Sequence, residues 1–155
     1  MVTGFLLDVN VLIALVYELH IGHTKVHAWF DEVRPKYWAT CPVTEAGFVR
    51  IASNLRLSDH PVEVSETLQM LGLITRRPGH RFWPMDISLA EAVQPFQDRL
   101  FGHRQVTDAY LLGMAIKNRG RLVTLDRAIK ILAGSEFENH VVLLGPTEAD
   151  RSHVR

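Results

Sequence analysis

The sequence predicts an α/β fold: a single domain with a central, mainly parallel sheet flanked by helices on both faces, an α/β/α sandwich. Three observations carry this expectation. Short strand-like apolar runs alternate with longer segments at helical spacing, as a parallel sheet requires. The first such run, Phe5-Leu6-Leu7, is apolar throughout, which suits a buried strand. Acidic residues stand where these runs end or in the turn that follows, and right-handed crossovers bring all strand carboxyl ends to one edge.

In chain order, Phe5-Leu6-Leu7 ends at Asp8, and Val11 to Tyr17 carries a helix whose natural cap is Asn10. His23 to Val33 is a second helix, with Val26, Trp29, Phe30 and Val33 at helical spacing between Gly22 and Pro35. Tyr37 to Cys41 is a short strand, and Pro42 suits the first turn of the helix that follows, Val43 to Asn54. Ser58-Asp59-His60-Pro61 signals another helix running to Leu71, and Arg76 to His80 is a turn. Phe82-Trp83-Pro84 is a short strand, and Ser88 with Glu91 has the form of a capping box. Gln105 to Lys117 is a helix closed near Gly120. Arg121 to Leu125 is a strand ending at Asp126, Arg127 to Ala133 a short helix, and Val141 to Leu144 a last strand. One domain is expected over residues 1–145, followed by a polar tail, 146–155.

Composition excludes several function classes. At 155 residues the chain can bury a genuine core, and its 47% hydrophobic and 22% charged content are ordinary for a globular protein. Formal net charge is zero, so no global field draws in nucleic acid, although the basic residues are 13 Arg against 4 Lys. The single cysteine, Cys41, rules out an intramolecular disulfide. The early apolar run falls far short of the roughly 18 residues of a membrane span, and no basic residue precedes it. A cytoplasmic protein without a membrane partner is expected. There is no glycine-rich phosphate loop, and Ser53, Ser58 and Cys41 lie in no nucleophile motif.

Four acids remain to be explained: Asp8, Glu45, Asp108 and Asp126. Singly, each has a structural reading, because acids in first turns gain about 0.3–1 kcal/mol from the helix dipole. Asp126 is well placed to cap the helix that begins at Arg127. Together they converge on one sheet edge, where mutual repulsion raises their pKa values and destabilises the fold unless a cation compensates. Oxygen ligands without cysteine or convergent histidine favour Mg2+ or Mn2+ over zinc. Such ions suit phosphodiester hydrolysis.

Four segments in this order, Leu7-Asp8-Val9-Asn10-Val11-Leu12, Thr44-Glu45, Val106-Thr107-Asp108-Ala109-Tyr110-Leu111 and Leu122-Val123-Thr124-Leu125-Asp126-Arg127, resemble those of PIN-domain proteins. The resemblance is strongest to the VapC-type ribonuclease toxins of toxin–antitoxin pairs, and it spans nearly the whole chain. It implies a PIN-like nuclease domain in which Asp8, Glu45 and Asp108 are the core metal-binding acids and Asp126 a fourth. It implies that Asn10 helps to order the metal-bound water, and that Thr124 is the hydroxyl residue before the last acid. It further implies Mg2+- or Mn2+-dependent cleavage of single-stranded or looped RNA, often tRNA or ribosomal RNA. A homodimer and a cognate antitoxin protein that covers the site are also implied. The stretch from Ser58 to Gly102 matches little beyond helical character.

RNA phosphates approach carboxylates only with positive groups nearby. Arg50, just over a turn beyond Glu45, and His103-Arg104, just before Asp108, are the candidates. Arg76, Arg77 and Arg81 cluster on a turn, where solvation is the simpler reading. Trp29, Trp38 and Trp83 lie in apolar patterns that favour core packing over base stacking. His23 and His27, one helical turn apart, have zinc spacing without the companions of a closed site. Two other functions compete. Aspartyl-phosphate chemistry would need a lysine near the strand ends, and none is there. A catalytically inactive PIN-like module that binds RNA or protein is the alternative among non-enzymes, against which the intact acids argue.

Overall fold

Five short strands form a wholly parallel sheet in the computed structural model, which describes residues 4–33, 37–55 and 61–145. They are β1 (Phe5–Leu7), β2 (Trp38–Thr40), β3 (His80–Phe82), β4 (Arg121–Thr124) and β5 (Val141–Leu143), and they lie side by side in the order β3-β2-β1-β4-β5. Between them run α1 (Val9–Val16), α2 (His23–Val33), α3 (Pro42–Ala52), α4 (Val64–Thr75), α5 (Leu89–Val93), α6 (Val106–Lys117) and α7 (Arg127–Phe137). No helix among the described residues is long and apolar enough to cross a membrane.

The sheet separates two cores because successive strand side chains point to opposite faces. Leu6, Ala39 and Leu122 pack on one side with residues of α5, α6 and α7, including Ala92, Leu112 and Met114, and with Phe96 in the 3-10 segment that follows α5. Leu7, Trp38 and Val123 pack on the other with α1, α2 and α3, including Leu12, Trp29 and Phe48. This is the three-layer arrangement expected from the sequence. The chain builds β1, β2 and β3 in one direction, then crosses back to place β4 on the far side of β1. The order therefore reverses between β1 and β4, the position where open parallel sheets leave a crevice at their carboxyl ends.

Several element bounds differ from expectation, each for a local reason. The first helix begins at Val9, and its cap is Asp8, whose side chain accepts from the Val9 N–H. Asn10 lies inside the helix and is freed from capping. Helix α4 starts at Val64, capped by Glu63, and continues to Thr75, four residues past Leu71. The anticipated cap at Ser58–His60 lies outside the described residues. Strand β3 starts at His80 instead of Phe82 and ends before Trp83, because Pro84 has no N–H to offer a ladder. Helix α7 runs on to Phe137, interrupted at Gly134, whose φ of 61° is open to glycine.

The histidine pair on α2 has a structural task. The imidazoles of His23 and His27 meet the carbonyls of Ala14 and Leu15 at 2.7 and 2.9 Å, satisfying acceptors that the end of α1 leaves open. Trp29 and Trp38 are buried, and Trp83 packs against the core at its margin, so the tryptophans serve packing as expected. The guanidinium of Arg81 stacks 3.6 Å from the Tyr37 ring centroid.

Helix α6, which carries Asp108, is located by its closeness to α5. A Cβ at Gly113 would collide with the backbone carbonyl of Ala92, a group that cannot swing aside. Gly113→Ala is therefore expected to push α6 off α5 and to cost about 1–3 kcal/mol. Urea unfolding followed by circular dichroism measures this; an unchanged midpoint would show that the helices can separate freely.

Candidate active site

Asp8 follows β1 directly and is 7% exposed. Its Oδ1 accepts the Val9 N–H at 2.7 Å, and its Oδ2 accepts the Thr124 hydroxyl at 2.7 Å. Thr124 ends β4 and is completely buried. Its oxygen also accepts the N–H of Asp126 at 3.0 Å, while the Asn10 amide nitrogen stands at 3.5 Å, too far to add much. The Asn10 Oδ1 accepts the Leu125 N–H at 3.1 Å. Asp126 caps α7 through the Ala128 N–H at 2.9 Å. Asp8, Asn10, Thr124 and Asp126 thus form one cluster across the β1/β4 reversal.

Asp108 enters from the other layer, in the first turn of α6, and is half-buried. Burial raises its carboxyl pKa, and the charges of Asp8 and Asp126 raise it further, to about 7 from 3.8. Asp8 is also raised, first by burial and then by Asp126, against the opposing hydrogen bonds from Thr124 and Val9. Among the described residues no salt bridge neutralises these three acids. Repulsion is left standing, and that is the electrostatic signature of a place for a cation.

Glu45 lies apart from this triad in its contacts. It sits half-buried in the first turn of α3, and its Oε1 accepts the Thr40 hydroxyl at 2.6 Å. The same hydroxyl oxygen is 2.8 Å from His80 Nε2. The charge of Glu45 is felt at His80, whereas Asp108 feels Asp8 and Asp126. Burial lowers the His80 pKa, against upward pulls from Glu45 and from a hydrogen bond to the Thr75 backbone. Helix α3 reaches this position because Gly47 lets it approach α1: a Cβ there would lie 2.6 Å from Val9 Cγ2.

The positive candidates are exposed. Arg50 shares with Glu45 a groove of about 630 Å³ between α3 and α4, lined further by Val49, Leu68 and Leu71. His103 and Arg104 lie in the single 3-10 turn that leads into α6, one turn ahead of Asp108. Thr40 and His80 went unnoticed in the sequence. Thr40 had a signal, as a hydroxyl ending a strand before an acid, like Thr124. His80 had none, because its contact depends on how β3 registers against β2.

The oxygen donors suit a hard divalent ion. Among the described residues no three carboxylate, imidazole or thiolate groups converge into a closed ligand cage. Mg2+ does not require one: it is usually bound through one or two carboxylates and retains several waters. An open set of acids with uncompensated repulsion fits such an ion better than it fits zinc.

A parallel sheet of this order with acids at its point of reversal defines the class of the protein. The PIN domain matches residues 5–135, and the chain belongs to the PIN-domain family, in its VapC type. It is 40% identical to Ribonuclease VapC38 of Mycobacterium tuberculosis over 90% of this chain and 96% of that protein. It is 41% identical to Ribonuclease VapC39 over 80% of this chain and 89% of the relative. Identity with Ribonuclease VapC29 is 35%, over 92% and 96% of the two chains.

The raised Asp108 carboxyl links stability to pH. The folded form keeps its proton up to about 7, whereas the unfolded form releases it near 3.8. The native state therefore binds the extra proton in that window, and its stability falls as pH rises through it. Asp108→Asn removes the charge and should stabilise the metal-free protein by about 1–2 kcal/mol at pH 8, after allowance for solvent screening. The gain should vanish near pH 4. Urea midpoints at the two pH values check this, and an equal gain at both would contradict it.

Proposed function

We propose that the protein is an Mg2+- or Mn2+-dependent endoribonuclease, the toxin of a type II toxin–antitoxin pair. The observation that carries the proposal is the group of Asp8, Asp108 and Asp126 at the sheet edge, where the charge of Asp126 raises the proton affinity of Asp8, and both charges raise that of Asp108, with no ion pair among the described residues to offset them. Relatives that bear the name ribonuclease over most of this chain's length support the same reading.

In this reading Asp8, Asp108 and Asp126 hold the ion, with Glu45 completing the set. When bound, the ion supplies positive charge to the phosphate oxygens and makes water easier to deprotonate. The chain's own residues do the positioning. Thr124 turns Asp8 Oδ2 inward by donating to it. Asn10 is anchored through its Oδ1, which leaves its amide hydrogens for the attacking water or a phosphate oxygen. Asp108 holds a proton near neutral pH in the metal-free protein and gives it up to make room for the cation. Arg50, His103 and Arg104 flank the acids and draw in the RNA backbone. Attack in line on phosphorus leaves a 3′-hydroxyl and a 5′-phosphate.

The substrate class is single-stranded or looped RNA, tRNA or ribosomal RNA, whose cleavage would inhibit translation in the cytoplasm. A homodimer and a cognate antitoxin complete the assembly. Purified protein incubated with RNA and Mn2+ should cleave it, and Asp8→Asn or Asp108→Asn should lower the rate at least a hundredfold. Undiminished cleavage in both variants would overturn the proposal. Metal-dependent RNA binding without products would favour a module that binds without cutting.

Metal binding gives a second test that needs no RNA. Because Asp108 is largely protonated below about 7, Mn2+ binding at pH 6 should release a proton and its affinity should rise with pH. Calorimetry in buffers of different ionisation enthalpy measures the proton count. Asp108→Asn should abolish that release.

A further inference from the structure

We propose that His80 is a positioning residue that fixes the Glu45 carboxylate through the hydroxyl of Thr40. The inference rests on the reading of Glu45 as a member of the acid site, and it assigns a role to a strand that otherwise contributes nothing there. His80 lies on the edge strand β3 opposite Trp38 of β2, and Thr40 is two residues further along β2. Trp38 and Thr40 therefore share a face of the sheet, and the His80 ring reaches Thr40 diagonally across the strand pair. An edge contact with the Trp38 ring, at a centroid distance of 4.7 Å, holds the imidazole in place.

Counting hydrogens sets the direction of the relay. A threonine hydroxyl has one hydrogen to donate, and an ionised carboxylate only accepts. At 2.6 Å from Glu45 Oε1, the Thr40 hydrogen belongs to the carboxylate, in the length range of a charge-assisted bond. For the Thr40 oxygen to accept from its other neighbour, His80 Nε2, at 2.8 Å, carries a hydrogen, in competition with the Thr75 carbonyl, which draws a hydrogen from the same ring. Thr40 is completely buried, so solvent is not at hand to replace that donor. The reversed arrangement, with Nε2 bare, would take the Thr40 hydrogen for itself and leave Glu45 without its bond.

The same device already operates at the neighbouring acid. Thr124 also is a buried strand-end threonine that donates to a carboxylate, and the backbone N–H of Asp126 occupies its oxygen so that its hydrogen turns to Asp8. At Thr40 the orienting donor is the His80 ring. One acid is aimed by backbone and the other by a side chain from the edge of the sheet.

The test compares His80→Gln, which retains an N–H donor at similar reach, with His80→Leu, which removes it. Long-range 1H–15N spectra of the metal-free wild type should show the hydrogen on His80 Nε2, with its signal displaced in Thr40→Val. A hydrogen on Nδ1 alone would overturn the proposal whatever the variants do. His80→Leu should weaken Mn2+ binding, read by electron paramagnetic resonance, and RNA cleavage at limiting Mn2+, each by about ten- to a hundredfold. His80→Gln should stay within about threefold of wild type, and His80→Leu should add no loss in a Glu45→Gln background. Equal loss in both His80 variants, or a full loss persisting without the Glu45 charge, would show that the ring acts by packing and sink the relay. Asp108→Asn, run in parallel, separates the two levels. If it binds Mn2+ and cleaves like wild type, the acid-site reading itself fails and the relay falls with it. If it is inactive while His80→Leu matches wild type, the relay alone is wrong.

Discussion

The hydroxyl of Thr124 joins the ends of the two strands on which the rest depends. It donates to Asp8 at the end of β1 and accepts from the N–H of Asp126, just beyond the end of β4. With Asn10 holding the Leu125 N–H, it closes the crevice where the strand order reverses. A buried carboxylate without such a donor would bear the desolvation cost of its charge alone. Here the hydrogen bond offsets part of that cost and leaves the remainder as repulsion among Asp8, Asp108 and Asp126. The fold thus tolerates a charged cluster without quenching it.

The three layers each deliver a part. The sheet supplies Asp8 and the threonines, one helical layer supplies Glu45 on α3, and the other supplies Asp108 on α6. Two close approaches set how far these helices stand from the sheet ends. Gly47 lets α3 lie against Val9, and Gly113 lets α6 lie against Ala92. Neither glycine touches the acids, yet both govern where the acids stand.

The architecture was legible in the sequence because its signals are local. Apolar runs, helical spacing and acids just past strand ends each occupy a few consecutive residues, and the parallel topology brings those ends to one edge. Asp8, Asp108 and Asp126 were brought together by that logic, whereas Asn10 and Thr124 entered the site only through the family resemblance. Boundaries were less legible where two residues competed for one role. Asp8 took the cap that Asn10 could have filled, because its carboxylate reaches the first helical N–H directly. The start of β3 at His80 depends on pairing with β2, a long-range property that no run of neighbouring residues encodes. For the same reason the contact of His80 with Thr40 was invisible, while the neighbouring Arg-Arg-Pro-Gly segment read only as a turn.

Asp8 and Asp126 each begin a helix as well as carrying charge. Asparagine caps a helix about as well as aspartate does. A one-atom exchange of oxygen for nitrogen could therefore remove the charge and leave the helix starts intact. In evolutionary terms, the proposed site and its neutralised form stand a single base change apart. The neutralised form would still present the same outer surface to any partner of the acidic one, and so could act as a decoy for it. The two positions differ in how freely they could drift: Asp126 is exposed and would keep its cap, whereas at Asp8 an amide in place of Oδ2 would leave the buried Thr124 hydroxyl without its acceptor.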